Sequence, residues 1–185
     1  DSDGTPDCLD GCENDPDKTD PGYCGCGVPE DNCVDDITVA VGDSIADAVA
    51  AVASGGTIVL EAGTHIVDSQ ILLGQGGVDK PLTIIGETAA DGTPLTSIQA
   101  TSGTRCFYVS GHVGPDTIIE NLILTGGPGL GRGAGMYCLG DPTIKNCHFL
   151  DNAVSDLGWA IYNTGTPVLN DCRFTGNSAA SGGAI

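Results

Sequence analysis

The sequence predicts an all-β chain wound as a right-handed parallel β-helix, a solenoid of about 25-residue coils, with a helix capping its N-terminal end and an irregular segment in front. Three observations carry this. First, Ile119-Glu-Asn-Leu-Ile-Leu124, Ile144-Lys-Asn-Cys-His-Phe149 and Leu169-Asn-Asp-Cys-Arg-Phe174 superimpose at intervals of 25 residues. A period of that length marks a repeat that buries its apolar face on its neighbours. Second, Phe107-Tyr-Val109, Met136-Tyr-Cys138 and Ile161-Tyr-Asn163 form another aligned set, and Gly182-Gly-Ala-Ile185 opens a further one. Third, the 29 glycines and 4% aromatic content suit many tight turns around a narrow interior.

Two regions differ in composition. Residues 1–36 are rich in Asp, Pro, Gly and Cys, with Leu9, Val28 and Val34 as the only aliphatic side chains. Such a segment cannot fold by apolar burial and needs metal or disulfides. Five of the nine cysteines fall between Cys8 and Cys33. That crowding reads as a disulfide framework in an oxidising, extracytoplasmic compartment; a zinc site is the competing reading. In Asp1-Ser-Asp-Gly-Thr-Pro-Asp-Cys-Leu-Asp10, alternate oxygens are spaced to converge on a calcium ion. Asp1 and Asp3 precede the turn glycine Gly4, the Thr5 carbonyl and Asp7 follow, and Asp10 closes the set. The first ligand position falls before Asp1. Asn14, Asp15, Asp17 and Asp20 form a second acidic set for a neighbouring ion.

The unit running from Ile37 to 185 is predicted to be the β-helix. Asp43-Ser-Ile-Ala-Asp-Ala-Val-Ala-Ala-Val-Ala-Ser54 is the helix candidate, capped by Asp43 or Ser44 and ended by Gly55-Gly56, with Ile45, Val49 and Val52 on one face. It is placed to cover the open end of the stack. Short strands are expected at Thr57–Leu60, Leu82–Ile85, Ile98–Ala100 and Cys106–Val109. Because neighbours on a strand face opposite sides, Phe107, Met136, Ile161 and Ile185 should stack inward and Tyr108, Tyr137 and Tyr162 outward. Likewise Leu124, Phe149 and Phe174 point in, and Ile123, His148 and Arg173 out. Asn121, Asn146 and Asp171 share a corner, where amides can bond along the stack. Coils about 4.8 Å apart put Cys147 and Cys172 in one inward column, where free thiols are favoured over a strained disulfide. Cys138 is expected to face inward and Cys106 outward. The right hand follows from the chirality of parallel crossovers.

The N-terminal motifs Asp1-x-Asp-Gly-x-x-Asp-Cys-x-Asp-Gly-Cys12, Asn14-Asp-Pro-Asp-Lys-Thr19 and Pro21-Gly-Tyr-Cys-Gly-Cys-Gly27 resemble the thrombospondin type 3 repeats of bacterial surface proteins. The resemblance implies calcium bound along an extended stalk, with disulfides. If stalk cysteines pair between repeats, Cys8 needs a partner upstream. Phe174-Thr-Gly-Asn177 and Gly182-Gly-Ala-Ile185 resemble the repeats of polymorphic outer-membrane proteins and related pectate-lyase-like β-helix proteins. That resemblance implies export, display outside the cell and a role in adhesion.

The formal net charge of −19 argues against nucleic acid as a partner. No apolar run is long enough to be a transmembrane helix. The chain opens inside a motif and stops partway through a coil, so an upstream segment is expected, and either further coils or another chain at the far end. No catalytic constellation converges. Arg105, Arg132 and Arg173 are scattered, Glu120 stacks over Lys145 as a surface pair, and His65, His112 and His148 read as surface or turn residues. Asp151 and Asp156 flank a turn. The expected function is therefore an extracellular or cell-surface structural and adhesive module, not an enzyme, with calcium as its cofactor. Its expected partners are further copies, other surface proteins or glycans. A polysaccharide lyase or glycoside hydrolase is the alternative; a sugar-binding module, resting on Trp159 and the tyrosines, is a third.

Overall fold

A computed structural model describes residues 34–74, 80–101, 103–126, 131–153 and 160–178. The calcium-ligand candidates Asp1, Asp3, Thr5, Asp7, Asp10, Asn14, Asp15 and Asp17 lie outside these residues. So do Asp20, Asp156, Trp159 and the Gly182–Ile185 motif.

The described chain is an all-β parallel solenoid. Sheet A contains β1 (Val34–Val39), β2 (Val52–Leu60), β5 (Thr83–Gly86), β8 (Ile118–Glu120), β11 (Thr143–Lys145) and β14 (Val168–Asn170), hydrogen-bonded in that order. Sheet B contains β3 (Gly63–Val67), β6 (Thr96–Ala100), β9 (Leu122–Thr125), β12 (His148–Leu150) and β15 (Arg173–Thr175). Sheet C contains β4 (Ile71–Leu73), β7 (Phe107–Val109), β10 (Met136–Cys138) and β13 (Ile161–Asn163). From β2 onward the chain visits A, B and C in turn, and each strand pairs in parallel with the equivalent strand of the next coil.

The expected columns are present. In sheet A, Ile58, Ile84, Ile119, Ile144 and Leu169 are successive register partners. In sheet B, His65, Ile98, Leu124, Phe149 and Phe174 are. In sheet C, Ile71, Phe107, Met136 and Ile161 are. These inward residues are buried, apart from Leu169 and Phe174, which are partly so. The rings of Phe149 and Phe174 stack with centroids 5.0 Å apart. Each three-residue strand contributes little alone, and stability comes from the continuity of the columns, at about 25 cal/mol per Å² of apolar area removed from water.

Corners are fixed by side-chain ladders. Asn121, Asn146 and Asp171 adopt left-handed backbone conformations with φ of 59°, 44° and 52°. Asn and Asp tolerate this region because their short polar chains bond locally. Asn146 Nδ2 donates to Asn121 Oδ1 at 2.8 Å, as the sequence column implied. A second ladder lies at the B-to-C corner and was not anticipated. Buried Asn152 donates to the Leu124 carbonyl (3.0 Å) and to Asn177 Oδ1 (2.9 Å), and Asn177 donates to the Phe149 carbonyl (3.0 Å). Its signal was the spacing Phe149-x-x-Asn152 repeated at Phe174-x-x-Asn177.

Helix α1 (Ile45–Ala51) is shorter than expected. Ser44 caps it by accepting from the Asp47 amide at 3.1 Å. It ends before the glycines because Val52 turns extended and pairs with Val34 of β1. The register then jumps from Val34↔Val52 to Asp36↔Thr57, so Ser54-Gly55-Gly56 forms a bulge within β2 instead of a helix stop. Gly55 takes φ 84° there. Strand β1 spans the expected 36/37 composition boundary.

Two further expectations are corrected. Cys106 is fully buried, not outward. It precedes β7, so strand alternation does not govern it, and its Sγ lies 3.4 Å from the Ile98 carbonyl oxygen. His65 is also buried, because it takes the inward sheet-B position that Ile98 and Leu124 occupy in later coils. Cys106, Cys138, Cys147 and Cys172 are free thiols. Among the described residues, no helix is long and apolar enough to cross a membrane.

Candidate functional sites on two faces of the solenoid

The outward face of sheet C carries one tyrosine per coil. Tyr108, Tyr137 and Tyr162 are register partners on β7, β10 and β13, and Leu72 of β4 continues the row. Tyr108 and Tyr137 stack with centroids 5.4 Å apart and ring planes 7° apart; Tyr137 and Tyr162 stack at 4.8 Å and 30°. This spacing follows from the coil repeat, since in-register strands hold equivalent Cα atoms about 4.8 Å apart. Two arginines that looked scattered in sequence converge here. Arg105 Cζ lies 4.8 Å from the centre of the Tyr137 ring and Arg132 Cζ 5.0 Å from that of Tyr162. Arg132 Nη1 also donates to the Tyr162 hydroxyl at 3.2 Å. Each arginine sits in the turn before its own coil's sheet-C strand and reaches the tyrosine of the following coil. Arginine stacks well on aromatic faces because its planar cation meets the negative ring face.

The row is not an open stacking platform for sugars. Ring faces are used on one another and on the guanidinium groups. Ring edges, hydroxyls and cations are what it offers a ligand. Arg105 is half-buried, and burial lowers its pKa, a shift opposed by the nearby Tyr137 and Tyr108 phenols. Its Nε and Nη1 are buried and have no hydrogen-bond partner.

The second site is a cleft of about 240 Å³ beside the A-to-B corner. The loop joining β5 to β6 doubles back through a Thr88–Pro94 bridge and is tied down by Asn146 Nδ2, which donates to the Gly92 carbonyl at 2.9 Å. Asp91 from that loop and His148, Asp171 and Arg173 from the later coils line the cleft. A carboxylate pair with an arginine would suit glycoside chemistry if one carboxyl were held protonated. Asp91 is shifted the other way. It is fully exposed, and the Thr93 amide donating to it at 3.0 Å holds its carboxyl below the usual range. His148 is lowered by burial and then by Arg173, and its Nε2 lies 3.1 Å from Thr175 Oγ1. The cleft therefore gathers Asp91, His148, Asp171 and Arg173 beside the corner ladder, with the Asp91 carboxyl shifted away from the protonated form that an acid catalyst needs.

Sequence reasoning missed this cleft because Asp91 comes from an insertion. Ile84 and its register partner Ile119 are 35 residues apart, where later coils repeat at 25. It missed the arginine pairing because Arg105 and Arg132 precede their tyrosines by unequal distances. Glu120 and Lys145 are register partners, as expected. Among the described residues, no cluster of three or more His, Cys, Asp or Glu side chains could hold a metal ion. Comparison with family models, with curated proteins and with solved structures finds no match to this chain.

Proposed function

We propose that the chain is a structural and adhesive module of a bacterial surface or extracellular matrix. In this reading an acidic, disulfide-bearing segment over residues 1–33 binds calcium and acts as a stalk. The coils wind right-handed into a β-helix, α1 covers the N-terminal end of the stack, and the module sits within a fibre or larger surface protein. The observation that carries the reading is the in-register stacking of strands β2 to β15 in three parallel sheets. It makes most of the described chain a scaffold whose outer positions line up coil after coil, as Tyr108, Tyr137 and Tyr162 do on sheet C. The packing of α1 against β1, β2 and β4 supports its capping role. The acidic alternation in Asp1–Asp10 supports the calcium ligands.

Calcium titration tests the stalk. Bound calcium at a hundred times its Kd should stabilise whatever it folds by about 2.7 kcal/mol. Limited proteolysis should show residues 1–33 protected with calcium and cut after chelation, while the solenoid stays intact in both. The Asp7→Ala variant should lose the protection. Equal cleavage with and without calcium would refute the stalk. A carbohydrate-active enzyme is the second reading, and release of reducing or unsaturated ends from a polysaccharide panel would establish it in place of the module.

A further inference from the structure

We propose that the tyrosine row of sheet C, with Arg105 as its anion-binding group, is a docking ridge for a sulfated glycan strand lying along the solenoid. The inference rests on the surface-module reading and gives that module a ligand class.

Charge placement is the first ground. The chain has six Lys and Arg against 25 Asp and Glu, yet two of the six stack on this one row. A strongly acidic protein repels polyanions at long range. Screening within about 8 Å at physiological salt leaves the local cations to decide what binds.

The condition of Arg105 is the second ground. A half-buried guanidinium with Nε and Nη1 unpartnered has lost water without gaining acceptors. Stacking on Tyr137 recovers only part of that loss, because a ring face does not replace a hydrogen-bond acceptor. Nη2 is the donor left to reach a ligand, and an anion there would pair the partly desolvated charge, although Nε and Nη1 stay out of its reach.

Repetition is the third ground. One phenol per coil, with ring centroids 5.4 and 4.8 Å apart, gives the row a repeat of about 5 Å, set by the spacing of in-register strands and close to the length of a sugar unit. Hydroxyls that both donate and accept suit a polymer that itself carries hydroxyls at a fixed repeat. Among anionic glycans the site favours sulfate esters over uronates. A guanidinium is weakly hydrated and this one is partly desolvated. A sulfate ester gives up its water more readily than a carboxylate and stays charged at any working pH.

The test is calorimetric titration of the calcium-loaded protein with three probes: a sulfated galactan oligosaccharide, the same oligosaccharide after desulfation, and an oligo-uronate. The sulfated probe should bind, and the other two should bind at least about tenfold more weakly, the factor expected when one charge-assisted hydrogen bond is lost. Arg105→Gln should weaken the sulfated probe by about tenfold or more while the far-ultraviolet spectrum is unchanged. If that variant does not fold, Arg105→Lys keeps the charge and stem but loses the planar fork, and it should show a smaller loss of the same sign. Equal binding of the desulfated probe, preference for the uronate, failure of all three to bind, or indifference to both Arg105 variants would each overturn the ridge. Loss of the ridge with calcium protection intact leaves the module reading standing. Glycan binding without calcium protection would instead refute the stalk.

Discussion

At the scale of single residues, the corners are where one atom matters most. Asn146 holds a left-handed backbone, donates to Asn121 Oδ1 and donates to the Gly92 carbonyl that pins the cleft loop. Asn146→Ala loses both bonds and keeps an unfavourable backbone, for a cost of about 2–3 kcal/mol in urea unfolding. Asn146→Gly loses the bonds but relaxes the backbone, so it should cost about 1 kcal/mol less than the alanine variant. Equal losses would mean that the ladder, not the backbone, sets the requirement. The buried thiols make a separate prediction. Burial pushes Cys106, Cys138 and Cys147 up to about 12. An unfolded thiol ionises near 8.5. A folded pKa raised above the unfolded one means the stabilising contribution is complete below about pH 8.5 and is lost as pH rises toward 12. Urea unfolding at about pH 8 and about pH 10.5 should therefore show stability falling with pH. Cys106→Ala should remove up to about 1.4 kcal/mol per pH unit from that slope. At neutral pH the same thiols should resist alkylation until the protein unfolds.

At the scale of elements, helix α1 depends on a residue far from it in sequence. Lys80 Nζ donates to the Val49 and Ala50 carbonyls at 3.1 Å each, meeting orphan acceptors of the helix's last turn. Burial lowers the Lys80 pKa. Lys80→Met keeps the stem and removes the donors. Because Lys80 is half-exposed, the loss should be modest, about 1 kcal/mol. Hydrogen exchange should quicken at amides 48–51 and leave the sheet-A amides of β5 and β8 unchanged; uniform quickening would show that α1 is not a local unit. The helix was readable from its Ser cap and its alanines, but its end was not, because pairing of Val52 with Val34 overrides local propensity. Strands β1, β3 and β4 went unread for specific reasons. In β3 a histidine points inward while Ile66, 66% exposed, points out, the reverse of the apolar alternation that reveals a strand. Strand β1 carries Asp35-Asp36 on the sheet edge, where charges discourage further pairing. Strand β4 is three residues long and, unlike the other short strands, has no sequence column to reveal it, since Ile71 precedes its register partner Phe107 by 36 residues. Among site residues, the tyrosine row was legible because the repeat aligns it. Arg105 was not, because it acts across coils from an irregular turn.

At the scale of the whole molecule, the 25-residue period disclosed the stack because each inward column is built from like residues in successive coils. That construction also governs how the molecule should fail. Phe149 is fully buried between Leu124 of the coil before it and Phe174 of the coil after it. Phe149→Ala removes one of the largest buried side chains and should cost about 3–5 kcal/mol, a large share of the 5–15 kcal/mol typical of a domain. In a fold with a single shared core that loss would be felt everywhere. In a solenoid each coil is held by its neighbours, so the loss should fall on the coils on either side of the cavity. Hydrogen exchange should show β11, β12, β14 and β15 losing protection first, while β2, β5 and β6 keep theirs to higher denaturant. The tyrosine row should break at the same place, because Tyr162 belongs to the weakened coil and Tyr108 does not. A single transition in which β5 and β12 lose protection together would mean that the columns couple the entire stack. The coil would then not be the unit of stability, despite being the unit of sequence.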